Sequence, residues 1–151
     1  MTAEEVYVEP SALCRLYLNQ PGIRELSAWR RRVGGALPVT HHGRSEITNA
    51  ICLAAFRGEL SKAGWEESLS DLEEDFAEGR LHQADLLWRA ALARSVELSR
   101  RHTPKLGTRA ADVLHVACAL ELKLKHFLTF DERQEKLASA CGLKLVKLVK
   151  L

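Results

Sequence analysis

The sequence predicts an α/β fold built around a short, mostly parallel sheet. Strand-like segments alternate along the chain with amphipathic helical segments, which is the pattern of a parallel sheet whose strands are joined by helices. At 151 residues, with 46% hydrophobic and 28% charged residues, the chain has an ordinary globular composition, and we expect one domain over residues 1–151. The strand-like segments are residues 6–8, 36–40, 81–82, 126–130 and 143–148.

Each helix is predicted from its apolar periodicity and from residues that start or stop it. Pro10 opens the first helix, since proline is tolerated in a first helical turn. Pro21-Gly22 separates this helix, over residues 10–18, from a second one that runs to about residue 33. The other helices are predicted over residues 43–57, 61–78, 85–101, 109–124 and 132–140. In the helix over residues 85–101, the side chains predicted to face inward are Leu86, Leu87, Ala90, Ala93 and Val96.

Charge and hydropathy exclude some classes of protein. The net charge of +2 gives no global signal for binding a polyanion, although a local basic surface remains open. No apolar run reaches about 18 residues, so we predict no membrane-spanning helix. The acidic residues 1–5 lead directly into a strand and do not resemble a signal peptide, so we expect a cytoplasmic protein.

The cysteines and histidines give no sequence pattern of a zinc site. The four cysteines form no Cys-x-x-Cys pair, and we interpret them as reduced thiols, mostly in the core. The pair His41-His42 suggests a metal site, but no second pair stands at ligand spacing, so zinc is not favoured.

Four carboxylates stand at comparable places in hydrophobic elements. Glu9 and Asp131 each follow a strand, whereas Glu46 and Asp112 lie near the starts of apolar helices. Strand ends and the following helix starts share one edge of a right-handed wound sheet, so the four carboxylates can converge. Hard cations such as Mg²⁺ prefer oxygen ligands of this kind. The sequence therefore indicates one acidic metal site.

Three of the four acids also have a specific structural interpretation. Asp112 can be a helix-start acid that pairs with Arg109 three residues earlier, and Asp131 can cap the helix that follows it. Arg44, or a surface position, would satisfy Glu46.

Four stretches of the chain carry a resemblance to a known family, and the first two of them are specific in order and spacing: Arg109-Ala110-Ala111-Asp112-Val113-Leu114-His115, Leu128-Thr129-Phe130-Asp131-Glu132-Arg133, Val6-Tyr7-Val8-Glu9-Pro10-Ser11-Ala12-Leu13 and Ser45-Glu46-Ile47-Thr48-Asn49-Ala50. They resemble the PIN-domain family, in particular the VapC-type ribonuclease toxins of bacterial and archaeal toxin–antitoxin pairs. The resemblance implies a three-layer α/β/α sandwich, an acidic pocket that binds Mg²⁺ or Mn²⁺, and hydrolysis of RNA phosphodiester bonds. It also implies a homodimer and neutralisation by a small antitoxin protein.

The four acids are the predicted catalytic groups. We expect Glu9, Asp112 and Asp131 to hold the metal, and Glu46 to bind it directly or through water. The family usually has aspartate where this chain has Glu9, and the added methylene moves the carboxylate by roughly 1.5 Å if extended. Mg²⁺ demands near-ideal octahedral geometry, so this departure keeps open a non-catalytic PIN-like scaffold as the alternative.

Other polar residues near the four acids have less specific roles. Ser11 is predicted either to orient Glu9 or a metal-bound water, or to cap the first helix, and Asn49 is either a polar group behind the site or a surface residue. We interpret His115 as a structural hydrogen-bonding group rather than a general base. The candidates for contacting RNA phosphates, which the sequence does not rank, include Arg15, Arg44 and Arg109.

Two further expectations concern partners and rival functions. Several apolar side chains look exposed in sequence, and some of them are predicted to become buried in a protein interface. A phosphoacceptor receiver-type domain also clusters acids at strand ends, but it requires adjacent acids after the first strand and a lysine at a strand end, and this chain has neither. The apolar side chains are Leu16, Tyr17, Leu26, Trp29, Trp65 and Phe76.

Overall fold

The computed structural model describes all 151 residues, which form five strands and seven α-helices. Short 3-10 turns at Ala3–Glu5 and Cys14–Leu16 precede β1 and follow α1. The strands are β1 (Val6–Val8), β2 (Leu37–Thr40), β3 (Leu81–Ala84), β4 (His126–Leu128) and β5 (Lys144–Leu145). The helices are α1 (Pro10–Leu13), α2 (Ile23–Arg32), α3 (His41–Phe56), α4 (Lys62–Ala77), α5 (Trp88–Leu106), α6 (Ala110–Glu121) and α7 (Glu132–Ala140).

All the strand pairs are parallel, as predicted. β4 lies between β1 and β5 in a three-stranded sheet, with Tyr7 opposite Phe127. β2 and β3 form a second parallel pair, and β2 packs beside β1. Because Val8 is in register with Leu128, the residues that follow β1 and β4 emerge side by side at one edge of the sheet.

The two faces of the sheet are covered by different helices. Successive side chains of a strand point to opposite faces. Val8 and Leu128 accordingly join a core cluster with side chains from α1 to α4, while Tyr7 and Phe127 join a second cluster with side chains from α5 to α7. The chain therefore forms the three-layer α/β/α sandwich that the family resemblance implied.

Several element boundaries differ from their predictions. The first helix is α-helical only through Leu13 and continues as a 3-10 turn. The helix predicted to end near residue 101 continues through Pro104, and its end is set by Gly107, whose left-handed conformation allows its N–H to reach the Thr103 carbonyl at 2.8 Å. The last strand is only two residues long, Lys144–Leu145.

The predicted inward face of α5 is wrong for three of its residues. Leu87 is 79% exposed and Val96 is 61% exposed, and Ala93 is exposed as well. Leu87 precedes the helix, which begins at Trp88. The buried face of the helix runs through positions other than Ala93 and Val96. The side chains of α5 that are buried are Ala91 and Leu98, which are two helical turns apart on one face.

The expected exposure is also wrong for part of the apolar set considered for a protein interface. Leu26, Trp29 and Tyr17 are buried in the chain's own core, where α2 packs on the turn at Cys14–Leu16. The other three apolar side chains are partly buried against the same core; they are Leu16, Trp65 and Phe76. The sequence alone does not show which other element of the chain covers an apolar residue of an amphipathic helix.

The fold can also be compared with the expectations for the cysteines and for membrane-spanning helices. All four cysteines are free, and two of them, Cys14 and Cys118, are buried in the core. No helix combines the length and the apolar composition required to cross a membrane.

We expect Phe127→Ala to lower the free energy of unfolding by about 3–5 kcal/mol, the range for truncating a buried phenylalanine. Phe127 lies fully buried in the central strand β4 and stacks on Tyr7, with ring centroids 5.4 Å apart. Urea unfolding followed by circular dichroism measures the loss. The control is Phe56→Ala, because Phe56 is 88% exposed and its truncation should cost no more than about 0.5 kcal/mol. Equal losses in the two variants would contradict the assigned core.

Candidate active site

Glu9 is a nearly buried carboxylate at the end of β1. Its backbone N–H continues the ladder by donating to the Leu128 carbonyl at 3.0 Å, and Pro10 then starts α1. Only 4% of Glu9 is exposed, although an ionised carboxylate is costly to remove from water. The Ser11 hydroxyl donates a hydrogen bond to Oε2 of Glu9. Of the two roles open to Ser11, the structure therefore shows the contact that orients Glu9.

Glu46 lies near the start of α3 and is held by two imidazoles. Thr40 caps this helix by accepting a hydrogen bond from the Gly43 N–H at 2.8 Å. Oε1 of Glu46 is 2.6 Å from Nε2 of His42 and 2.8 Å from Nε2 of His115. Partial burial raises the pKa of Glu46, but the hydrogen bond from His115 and the charges of both histidines outweigh it and leave that pKa below its ordinary value.

The partner that the sequence suggested for Glu46 lies elsewhere. Arg44 donates to Glu73 at 2.6 Å, and its guanidinium lies 4.0 Å from the centroid of the Phe76 ring. These contacts attach α3 to α4 and leave Glu46 free to face the start of α6.

His115 connects three elements of the fold. It is 1% exposed, and its Nε2 donates to Glu46 while its Nδ1 lies 2.7 Å from the Tyr7 hydroxyl in β1. Oε1 of Glu9 is 3.9 Å from the same Nε2. Burial, with the nearby charges of Cys118, Glu9 and Glu46, raises the pKa of Tyr7 well above its ordinary value, so this residue remains a neutral phenol. Both ring nitrogens of His115 are thus engaged, in agreement with a structural hydrogen-bonding group.

Asp112 and Asp131 lie beside each other on the open side of the site. Asp112 belongs to the first turn of α6, and Asp131 caps α7 by accepting from the Gln134 N–H at 3.0 Å. Both line a polar, open pocket together with Arg109 and Arg133. Desolvation first, and then the negative charge of Asp131, raise the pKa of Asp112 above its ordinary value.

The helix cap formed by Asp131 is the structural alternative that the sequence suggested. The place of Asp131 in the pocket also suits the predicted role as a metal ligand. The two roles are compatible, since the Gln134 N–H takes one carboxylate oxygen, Oδ1. Arg109 lines the same pocket near Asp112, but no ion pair joins them, so Asp112 is not neutralised by the partner proposed for it.

The structure joins the four acids in two pairs. Glu9 and Glu46 both face His115, while Asp112 and Asp131 share the open pocket. The charge of Glu46 also raises the pKa of Asp112, so the two pairs lie within electrostatic reach of each other. Their joint action on one metal stays a prediction.

Two of the other predicted residues lie away from the acids. Asn49 is exposed on α3 and lines a shallow groove with Arg44 and Cys52. Arg15 donates to the Pro21 carbonyl and lies over the Phe130 ring. Among the three arginines suggested for RNA, Arg109 is the one in the wall of the acidic pocket.

Sequence reasoning missed His42, Tyr7 and Gln134 as site residues. His42 and Glu46 are one helical turn apart, and this spacing alone could have identified them as a pair. Gln134 is 1% exposed; it accepts from the Thr129 hydroxyl at 2.6 Å and donates to the Asp112 carbonyl at 3.2 Å, so it ties α6 to the end of β4. Only tertiary structure reveals that contact.

The family comparison agrees with this architecture. The family model of the PIN domain matches residues 6–140, from β1 through α7. The chain therefore belongs to the PIN domain family, whose members are generally nucleases that depend on divalent metals. A search of curated proteins gives no match to this chain.

The residues of the site fit a divalent cation. Partial burial first, and then the negative charge of Asp131, raise the pKa of Asp112, although His115 and Arg109 partly oppose this rise. Glu9 is nearly buried, and its one close hydrogen-bond donor is the neutral hydroxyl of Ser11. Both observations describe negative charge that a bound cation would stabilise.

We expect Asp112→Asn to raise the melting temperature of the metal-free protein. A raised carboxyl pKa means that protonation of Asp112 stabilises the fold and that this stabilisation is lost as pH rises through the folded-state pKa. The benefit of the variant should therefore grow from about pH 3.5 to neutral pH. Solvent screening limits the gain to less than about 1 kcal/mol, or up to about 4 °C.

Thermal unfolding in a chelator, at a series of pH values, tests this expectation. The matched control is Asp71→Asn, because Asp71 is an exposed acid on α4, away from the site. A lower melting temperature for Asp112→Asn than for the native chain at neutral pH would show that Asp112 is a stabilising acid and not a strained one.

Proposed function

We propose that the protein is a metal-dependent endoribonuclease that hydrolyses RNA phosphodiester bonds, with Glu9, Glu46, Asp112 and Asp131 as its acidic groups. The observation that carries the proposal is the open pocket in which Asp112 and Asp131 repel each other between Arg109 and Arg133. The acids suit a cation, and the arginines suit the phosphate of an RNA strand.

The chemistry assigns a different task to each side of the pocket. Mg²⁺ or Mn²⁺ held by Glu9, Asp112 and Asp131, with Glu46 bound directly or through water, would supply an activated water and would stabilise the charge that develops on the phosphate. A carboxylate oxygen that remains free can accept the proton of the attacking water. Arg109 can orient the phosphate through its guanidinium. His115 positions Glu46 and holds Tyr7, since neither of its ring nitrogens is free.

We further propose that the protein is the toxin of a type II toxin–antitoxin pair, neutralised by a small antitoxin protein and active as a homodimer in the cytoplasm. The support is the resemblance of residues 109–115 and 128–133 to VapC-type toxins. Large exposed apolar side chains on α5, at Leu92 and Val96, are candidates for a protein interface. Light scattering of the chain, alone and with the product of the neighbouring reading frame, tests both parts.

We expect the native chain to cleave RNA when Mg²⁺ or Mn²⁺ is added, and a chelator to stop cleavage. Asp112→Asn should lower turnover by more than about 100-fold, because the loss of one metal ligand removes several kcal/mol of charge stabilisation. Glu9→Asp should be neutral or activating, because it restores the shorter acid usual in the family. Asp71→Asn serves as the matched control and should cleave like the native chain.

The same assay separates the nuclease from a non-catalytic scaffold. The scaffold hypothesis predicts no cleavage by the native chain with any metal, with a gain in Glu9→Asp. Cleavage that persists undiminished in Asp112→Asn would reject the acidic pocket as the active site.

We expect Arg109→Ala to weaken RNA binding and to reduce the slope of log affinity against log salt by about 1, as the loss of one phosphate contact does. Binding of a labelled single-stranded RNA at several salt concentrations, in a chelator, measures the slope without turnover. The control is Arg57→Ala, since Arg57 follows the far end of α3 from Glu46. Equal slopes in Arg109→Ala and the native chain would remove Arg109 from the RNA surface.

A further inference from the structure

Two histidines and a carboxylate converge beside the acidic pocket. Nε2 of His42, Oε1 of Glu46 and Nε2 of His115 all lie within 4.8 Å of one another. The two nitrogens lie 2.6 and 2.8 Å from the carboxylate oxygen. Donors around a tetrahedral ion are about 3.3 Å apart when each is about 2.0–2.1 Å from the metal. Opening these contacts by less than about 1 Å would therefore admit an ion.

The three donors are carried by rigid elements. His42 and Glu46 are one turn apart on the capped first turns of α3, and His115 lies in the buried middle of α6. The His42 ring stacks on the His115 ring, with centroids 5.7 Å apart, and Trp88 packs against its edge. His42 and Glu46 are both partly exposed, so an ion can reach the site from solvent.

Tyr7 supplies the contact that a metal-binding histidine needs on its second nitrogen. Its hydroxyl lies 2.7 Å from Nδ1 of His115. With the ring proton on Nδ1, the Tyr7 oxygen accepts it, and the lone pair of Nε2 becomes available to an ion. Partners of this kind fix the tautomer and the orientation of metal-binding histidines.

Glu9 is placed to add a fourth donor. Its Oε1 lies 3.9 Å from Nε2 of His115, and the other oxygen is fixed by Ser11. An aspartate at this position would be shorter by roughly 1.5 Å of side chain. Compared with an aspartate, Glu9 has one more methylene, so its carboxylate extends further toward His115.

We propose that His42, Glu46 and His115 form a binding site for a borderline transition-metal ion of the Zn²⁺ class, with Glu9 as the fourth ligand. Two imidazoles and a carboxylate are a recurrent donor set for Zn²⁺, whereas Mg²⁺ favours oxygen ligands and keeps its water. The site shares Glu9 and Glu46 with the proposed nuclease pocket, but metal binding at the histidines does not depend on RNA cleavage.

The experiment titrates the full, tag-free and metal-free chain with Zn²⁺ by calorimetry, and with Co²⁺ by visible absorption. We expect saturable binding of one Zn²⁺ that survives excess Mg²⁺, and a Co²⁺ spectrum without the charge-transfer bands of thiolate ligands. The absence of those bands excludes the partly exposed Cys52 and Cys141 as ligands.

Three variants assign the site. His42→Gln should lose saturable Zn²⁺ binding, and His41→Gln is its matched control, because the neighbouring His41 faces Asp85 at 3.1 Å instead of Glu46. Tyr7→Phe should weaken Zn²⁺ by about 10–100-fold, the range for a group that orients a ligand. Glu9→Asp should weaken Zn²⁺, the reverse of its expected effect on Mg²⁺-dependent turnover. Circular dichroism checks that each variant is folded.

The outcomes separate this site from the proposed nuclease. No saturable Zn²⁺ binding by the native chain, equal binding by folded His42→Gln, or thiolate bands with Co²⁺ would each overturn the histidine site. A chain that binds Zn²⁺ through His42 but cleaves no RNA would overturn the nuclease proposal and leave the histidine site standing. Cleavage by a chain that binds no Zn²⁺ would overturn the histidine site and leave the nuclease proposal standing.

Discussion

The parallel pairing of β1 with β4 is the constraint on which the site depends. Its register, with Val8 opposite Leu128, places Glu9 next to the segment that leads to Asp131. The same register sends Tyr7 and Phe127 to the face covered by α6, so the Tyr7 hydroxyl can meet His115. A shift by one residue would reverse the faces of β1 and break both arrangements at once.

His115 links strand β1 of the sheet to the helices that carry the site. Its two nitrogens hold a phenol of β1 and a carboxylate of α3, while its backbone belongs to α6. A buried polar group without its partner costs about 1–3 kcal/mol, so these three elements favour a single mutual arrangement. Gln134 does the same on the other side, where it ties the Asp112 carbonyl to Thr129. Two of the acids, Glu46 and Asp112, are thus positioned by the buried side chains of His115 and Gln134.

The alternation of strands and helices was enough to predict the parallel sheet and the bounds of α7, whereas the three-layer sandwich was implied by the family resemblance. The four acids lie at strand ends and helix starts as predicted, because such positions can be recognised from neighbouring residues. The local pattern did not predict features that depend on contacts between segments distant in the sequence. His115 and Glu46 are 69 residues apart, and no spacing rule joins them. The burial of Leu26 and Trp29 likewise depends on the packing of α2 on the chain that follows α1. In α5 the inward face, with Ala91 and Leu98, depends on the packing of this helix on α6, which the periodicity of α5 alone does not give.

The two halves of the site differ in electrostatic character, and this difference decides how each would take a cation. At Glu46, the imidazoles already compensate the carboxylate and lower its pKa, so an ion there must replace existing hydrogen bonds. At Asp112, burial and then the charge of Asp131 raise the pKa, so an ion would offset part of the cost of an ionised carboxylate there. A hard cation, which gains little from nitrogen donors, is therefore favoured at Asp112 and Asp131, while an ion that binds imidazole well can offset the loss of the hydrogen bonds at Glu46. Glu9 faces the histidine half, with its Oε1 3.9 Å from Nε2 of His115, and its longer side chain is what would allow this carboxylate to serve an ion there.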